Sequence, residues 1–232
     1  MAVAGCGTSD DGSNGVAGLP APKIAAKARA AAERADAVRL SGDVAGKGRA
    51  YRIQMRLKPG GGVGRVSVRG GSSYALLRVG KDLYLKADAG FWNRRHSSGR
   101  SGSGRSGGGG NAAGKLRGKY VKVPPGDPAY RELRGLTDMR ALLSGLLTLH
   151  GKQRTEGRAE IGGAKSVRVR AGGADGGGMA VALDGTPYPL RVERGADAGT
   201  VELSHWGEDF ALHAPERSQV VDYGGKIAGS DG

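Results

Sequence analysis

The chain has 232 residues and a formal net charge of +14, from 36 Lys and Arg against 22 Asp and Glu. Leu, Val, Ile and Phe supply only 42 residues, near the ~20% below which a highly charged chain stays disordered; the shortage lies mainly in 1–19, 94–118 and 224–232, so the remainder can bury a modest core. The one cysteine, Cys6, excludes an internal disulfide and a cysteine-based metal site, and no run approaches the ~18 consecutive apolar residues of a membrane-spanning helix.

Val3-Ala4-Gly5-Cys6 resembles the bacterial lipobox, in which cleavage exposes a cysteine that is then acylated with palmitate-type chains. The basic and apolar regions of the secretory signal that such a motif needs are expected upstream of Met1. Residues 1–19 therefore read as a lipobox remnant and a flexible Gly, Ser and Asp tether. From Pro20 to Ala37 the sequence is Ala-rich, with Ile24, Ala28, Ala31, Ala32 and Ala35 at helical spacing, which predicts a helix with a narrow stripe for close packing.

The period then changes to two. Tyr51, Ile53, Met55 and Leu57 alternate with Arg52, Gln54, Arg56 and Lys58, and Val66 and Val68 alternate with Arg65 and Arg69, the pattern of antiparallel strands with one wet and one buried face. Tyr74 to Val79 is apolar on both parities and reads as a more central strand; Leu83 and Leu85 follow, then Phe91-Trp92. Residues 94–118 are Gly, Ser and Arg and predict a disordered basic loop, with seven positive charges and no acid between 94 and 119. Tyr120 to Val123 is a strand, and Asp127-Pro128 is a helix start. Leu136, Met139, Leu142, Leu143, Leu146 and Leu147 form an apolar stripe for a helix, with Thr137 as its cap. Strands are predicted again at Gln153 to Ile161, Ser166 to Arg170, Met179 to Leu183, Tyr188 to Glu193, Thr200 to His205 and Phe210 to His213. Asp184-Gly185 marks a hairpin turn, Pro187 and Pro189 an edge or a strand start. A short helix at Pro215 to Asp222 and a disordered tail at 224–232 close the chain.

Together these elements predict an α+β fold with about ten antiparallel strands. Their order resembles the LolA-like lipoprotein carriers and the actinobacterial LppX/LprG-type lipoproteins. The residues that carry the resemblance are Val3 to Cys6, Leu83-Tyr84-Leu85 with Phe91-Trp92, Gly118 to Val123, the Leu-rich helix, and Asp184 to Arg191. The resemblance implies that residues 20–223 form a strongly curved sheet, a half-open β-barrel, with helices covering its concave face and an acyl chain held between them. The residues expected to line such a cavity are Ile53, Met55, Val66, Val68, Leu77, Leu83, Leu85, Phe91, Trp92, Met139, Leu142, Leu143 and Leu146. Ala50, Ala75, Ala180 and Ala182 are small enough to leave room or to permit close packing. The expected protein is a monomeric, non-enzymatic lipoprotein, anchored through Cys6 to the extracytoplasmic face of the cell membrane, with a lipid, glycolipid or acylated lipoprotein as partner.

Other readings carry less. Gly102-x-Gly104-x-x-Gly107 and Gly104-x-Ser106-x-Gly108 match a dinucleotide fingerprint and a nucleophile elbow, but both need a strand before and a helix after, and they lie in low-complexity sequence. His96, His150, His205 and His213 show no metal-ligand spacing, so neither metal nor cofactor is expected. The 94–119 charges suit anionic lipid headgroups, each contributing about 1 kcal/mol near such a surface, and equally suit a solvated linker. Nucleic acid is not expected as a partner, because no stacking platform accompanies the basic residues. Two other classes remain open: a packed envelope scaffold with no ligand, and a polyanion binder.

Overall fold

The computed structural model describes residues 13–222, apart from 47, 89, 93–115, 117, 174–175 and 197. Cys6, most of the basic loop and the 224–232 tail lie outside the described residues.

Helix α1 (Ala21–Glu33) opens the domain. Ile24, Ala25, Ala28, Ala31 and Ala32 are all at most 3% exposed, so the predicted small-residue stripe is the buried face. The first strand run follows: β1 (Val38–Gly46), β2 (Arg49–Lys58), β3 (Gly61–Val68), β4 (Ser73–Val79), β5 (Asp82–Ala87) and β6 (Tyr120–Val123). Two helices come next, α2 (Pro128–Thr137) and α3 (Met139–Leu146). The second run is β7 (Gln153–Ile161), β8 (Ala164–Ala171), β9 (Gly177–Ala182), β10 (Pro189–Glu193), β11 (Gly199–Ser204) and β12 (Val220–Asp222).

These make one open, curved, mostly antiparallel sheet of twelve strands rather than ten, in the order β12-β6-β5-β4-β3-β2-β1-β11-β10-β9-β8-β7. β1 and β11 join the two runs, from Arg39 opposite Ser204 to Val44 opposite Gly199. The helices lie on one face, here the inner face. α1 packs over β7 to β10, and α2 over β3 and β4.

Several expectations are corrected. Residues 13–19 are not tether: Asn14 donates its backbone N–H to Leu183 O at 2.8 Å and Val16 is 1% exposed in a 3-10 turn. The Leu-rich stripe is two helices, broken at Asp138, whose backbone is extended. Asp138, not Thr137, caps the second, accepting from Ala141 N at 3.1 Å. Asp127 caps α2 as predicted, accepting from Ala129 N at 2.8 Å. Pro189 does start a strand, but β10 is internal, and its pairing with β9 slips between Pro189 and Arg191, where the missing proline donor disturbs the ladder.

The last correction concerns 208–222, read as a strand and a helix. The chain instead crosses the outer face as an irregular strap. Phe210 lies under Arg56 and Lys58, with Arg56 Cζ 4.5 Å from its ring centroid. Lys58 Nζ donates to Phe210 O and pairs with Asp209, both at 2.7 Å, which holds the Asp209 carboxyl below its ordinary value. Leu212 sits so close over Gly61 that a Cβ there would meet its Cδ2 at 2.5 Å. The strap ends in a 3-10 turn at Arg217–Gln219 and in β12, which pairs with β6 in parallel. Side-chain cover for Phe210 and backbone pairing at β12 replace the alternation that a sheet strand would need.

Arg78 ties the helices to the sheet. Its side chain shares the inner face with Leu76, and the residue is 5% exposed. Nε donates to Thr137 Oγ1 (3.1 Å), Nη2 to Thr137 O (2.8 Å), and Nη1 to Gly80 O (2.9 Å) and Gly60 O (3.4 Å). Burial pushes the guanidinium below its ordinary value, opposed by Asp138, 4.0 Å away. Arg78→Met leaves buried carbonyls without donors and is predicted to cost about 2–3 kcal/mol. Thr137→Val removes one hydroxyl and is predicted to cost about 1 kcal/mol. Urea unfolding at constant m-value measures both; an Arg78→Met protein as stable as wild type would remove Arg78 as the tie.

Candidate functional site

Strand pairing sets which side chains share the inner face. Across β1 to β5 one row reads Gly42, Ile53, Val66, Tyr74, Ala87. The next row towards the β1–β2 hairpin reads Val44, Tyr51, Val68; the row on the other side reads Leu40, Met55, Gly64, Leu76, Leu85. Beyond that stand Val38, Leu57, Gly62, Arg78 and Leu83.

The inner face is covered in two separate apolar clusters. The first joins α1 and α3 to β1, β2 and β8 to β11, and holds Met55, Met139, Leu143 and Leu146 of the predicted lining, with Ile53 and Leu142 half-buried against it. The second joins α2 to β4, β5 and β6, and holds Leu83, Leu85 and Trp92, with Phe91 half-buried against it. Leu116, where the described chain resumes, is 2% exposed in the same cluster. Val66 is 3% exposed and Val68 half-buried on the same face.

Leu77 is a correction. It pairs with Val63 and Tyr84, on the opposite parity from Leu76, so it points to the outer face that the strap crosses and cannot line an inner cavity. Strand alternation could have excluded it: Leu77 and Leu85 both count as inward only if β4 slips by one residue. Ala75, Ala180 and Ala182 also alternate to the outer face, opposite Arg65 and Lys86, Arg168 and Arg191, and Ser166, so they make no room inside. Other small residues stand on the inner face: Gly42, Gly62, Gly64, Ala87 and Ala171.

The lining therefore divides by solvent access. Met55, Leu83, Leu85, Trp92, Met139, Leu143 and Leu146 are 0–7% exposed and already packed. Ile53, Val68, Phe91 and Leu142 keep half-exposed surface, together with Val44, Tyr51 and Tyr74, which were not in the expected lining. Tyr74 touches Phe91, ring centroids 5.3 Å apart, and Phe91 meets Trp92 edge-on at 5.2 Å. Phe91 N–H donates to Asp88 Oδ1 at 2.8 Å, which starts the short helical turn carrying both aromatics. Trp92 Nε1 is buried with no acceptor among the described residues. An apolar strip thus runs along the inner face at the end of β1 to β4 farthest from Arg78, between the two clusters.

At the Arg78 end lies a cleft of about 280 Å³ lined by Glu33, Lys58, Arg78, Asp138 and Arg140. Ala35, Pro59 and Met139 also line it, but the five charged residues suit an acyl chain poorly. The outer face of the second run is a ladder of ion pairs, with Arg170 bonded to Glu156 (2.9 Å) and Glu193 (2.7 Å), and Arg191 to Glu202 (2.5 Å). Exposed pairs of this kind contribute little stability each, but they make that face wet. Among the described residues no helix is long and apolar enough to cross a membrane.

An open, curved, mostly antiparallel sheet with its helices gathered on one face is the LolA-like fold. LprF from Mycobacterium bovis has it: the two superpose with a TM-score of 0.52 at 16% identity, over 84% of this chain and 96% of that one. The lipoprotein LppX of Mycobacterium tuberculosis matches with a TM-score of 0.43 at 14% identity, over 83% and 99%. An uncharacterised conserved protein from Thermus thermophilus matches with a TM-score of 0.38 at 11% identity, over 87% and 98%. No family model matches the sequence, and neither does any curated protein.

The division of the lining is testable by stability. Leu85→Ala and Leu143→Ala are predicted to cost about 3 kcal/mol each, as fully buried leucines do. Ile53→Ala and Leu142→Ala are predicted to cost less, about 1–2 kcal/mol, because each side chain is only partly buried. Equal losses in chemical denaturation at all four positions would mean that the strip is closed core.

Proposed function

We propose that the protein is an extracytoplasmic lipoprotein, anchored through an acylated Cys6, that holds an acyl chain of a lipid, glycolipid or lipoprotein along the inner face of its curved sheet. The single observation behind this reading is the apolar strip of Val44, Tyr51, Ile53, Val68, Tyr74, Phe91 and Leu142, half-exposed on the face that the rest of the fold uses as core. Each methylene buried there contributes about 0.8 kcal/mol, so an acyl chain gains more from this strip than a polar ligand would. The buried Trp92 N–H is a donor that an ester carbonyl at the head of the chain would satisfy. No cofactor enters this reading and no reaction is proposed. The 94–119 charges, if they meet anionic headgroups, would add to binding without adding selectivity.

A second reading has its own observation. The three helices already cover most of the inner face, with Leu40, Leu57 and Leu147 in the first cluster and Leu76 in the second at most 1% exposed, which suits a packed envelope scaffold that carries no ligand.

Native mass spectrometry of the full chain incubated with a phospholipid separates the two. The expected result is retention of lipid by the wild-type protein and its loss from the Ile53→Glu, Val68→Glu double variant, whose charges would face the bound chain. Circular dichroism checks that the variant keeps its fold. Wild-type protein that retains no lipid would sink the carrier and leave the scaffold.

A further inference from the structure

The strip occupies one end of the sheet. The opposite end carries an apolar feature that the acyl site does not use. Tyr188 and Trp206 stack with ring centroids 4.7 Å apart and planes 2° from parallel. Tyr188 stands immediately before β10 and Trp206 two residues after β11. The two strands are antiparallel neighbours, so the rings meet at one end of the sheet. Trp206 Nε1 donates to Pro189 O at 3.1 Å, which satisfies its one polar atom. His205 takes a left-handed φ of 53°, a conformation that costs a non-glycine residue about 1–2 kcal/mol, where the chain turns out of β11. Both rings rest on the first core cluster yet stay half-exposed, as do Ala17 and Leu19 beside it.

The N-terminal segment is fastened to the same end. The Asn14 side chain donates to Ala182 O (3.0 Å) and Gly185 O (3.1 Å), its backbone N–H to Leu183 O (2.8 Å), at the end of β9 and in the loop that leads to Tyr188. Ser13 and Asp184 form a β-bridge there. From Ser13 back to Cys6 the chain can span at most about 25 Å.

We propose that Tyr188 and Trp206 dock on the headgroup–acyl boundary of the bilayer that holds the Cys6 lipid. This rests on the reading of Cys6 as the anchor. The short tether holds this end, and not the far end of the strands, against the membrane. Tyr and Trp rings favour that boundary, where one side is apolar and the other wet. Two rings bind a free bilayer weakly, but a tether makes the encounter intramolecular, at an effective concentration of about millimolar.

The test uses the full chain. Cys6 is its sole thiol, so a maleimide-bearing phospholipid attaches the protein at that residue whatever a cell does to it. The protein is first loaded with unbrominated phospholipid, so that the strip beside Trp92 carries no bromine, and the vesicles are phosphatidylcholine and phosphatidylglycerol with brominated acyl chains. Bromine is expected to quench the tryptophan emission of the wild-type protein, and Trp206→Phe, in which only Trp92 emits, is expected to lose most of that quenching. Phenylalanine keeps a ring on Tyr188, so the fold is retained, and lipid retention in native mass spectrometry should not change. Equal quenching in the two proteins would overturn the docking. Mass spectrometry of protein recovered from its own membranes tests the anchor separately: an unmodified Cys6 overturns the anchor and the proposal with it, whereas a modified Cys6 with equal quenching overturns the docking alone.

Discussion

A guanidinium buried on the inner face of a sheet must have its donors met, and Arg78 meets them by gathering carbonyls from three places. Gly60 O belongs to the β2–β3 turn, Gly80 O to the β4–β5 turn and Thr137 to the end of α2. None of these groups is close to another in sequence. Leaving the charge unpaired in that position would cost several kcal/mol, so the two turns and the helix end are held together as a condition of folding. Thr137, 0% exposed, is fixed twice, since its hydroxyl also donates to Arg134 O at 3.0 Å.

The break between α2 and α3 follows from that fixed point. With Thr137 bound to Arg78, the helix stops, Asp138 takes an extended backbone and caps the next helix, and α3 leaves in a new direction. One leucine stripe is thereby shared between two clusters: Leu136 rests on the second, while Met139, Leu143, Leu146 and Leu147 enter the first. A single continuous helix would have kept its apolar face on one side of the sheet. Two helices directed apart cover both halves of a wide sheet and leave the strip between them uncovered at the end away from Arg78. The proposed acyl site is in this sense a by-product of the arginine tie.

Most of the elements were legible in the sequence because they depend on local rules. Alternation in β2 and β3, the small-residue stripe of α1 and the Asp127-Pro128 start all follow from periodicity and capping. What was not legible depends on long-range partners. Arg78 reads as a surface charge in a strand that is apolar on both parities, and only its carbonyl partners, from Gly60 to Thr137, make it an inner-face residue. The 208–222 strap carries too few apolar residues for a strand pattern; Phe210 is held by cations on β2, and β12 by backbone bonds to β6. Of the predicted lining, Leu77 failed on parity. The rest reached the inner face, but burial in two clusters rather than around one cavity could not be read from spacing.

The two ends of the sheet then acquire different work. β2 spans ten residues, about 33 Å, with Leu57 near the fastened N-terminal segment and Tyr51 near the far end. A domain docked through Tyr188 and Trp206 holds its apolar strip roughly a strand length above the bilayer that anchors it. Cargo exchange with that same bilayer would require undocking, which costs the small contact of two rings. Exchange with a partner or with acylated molecules arriving from outside would require no motion of the domain. On the proposed docking, a weak contact on a short tether would set the direction of traffic through its geometry, because it would leave the strip facing away from the bilayer.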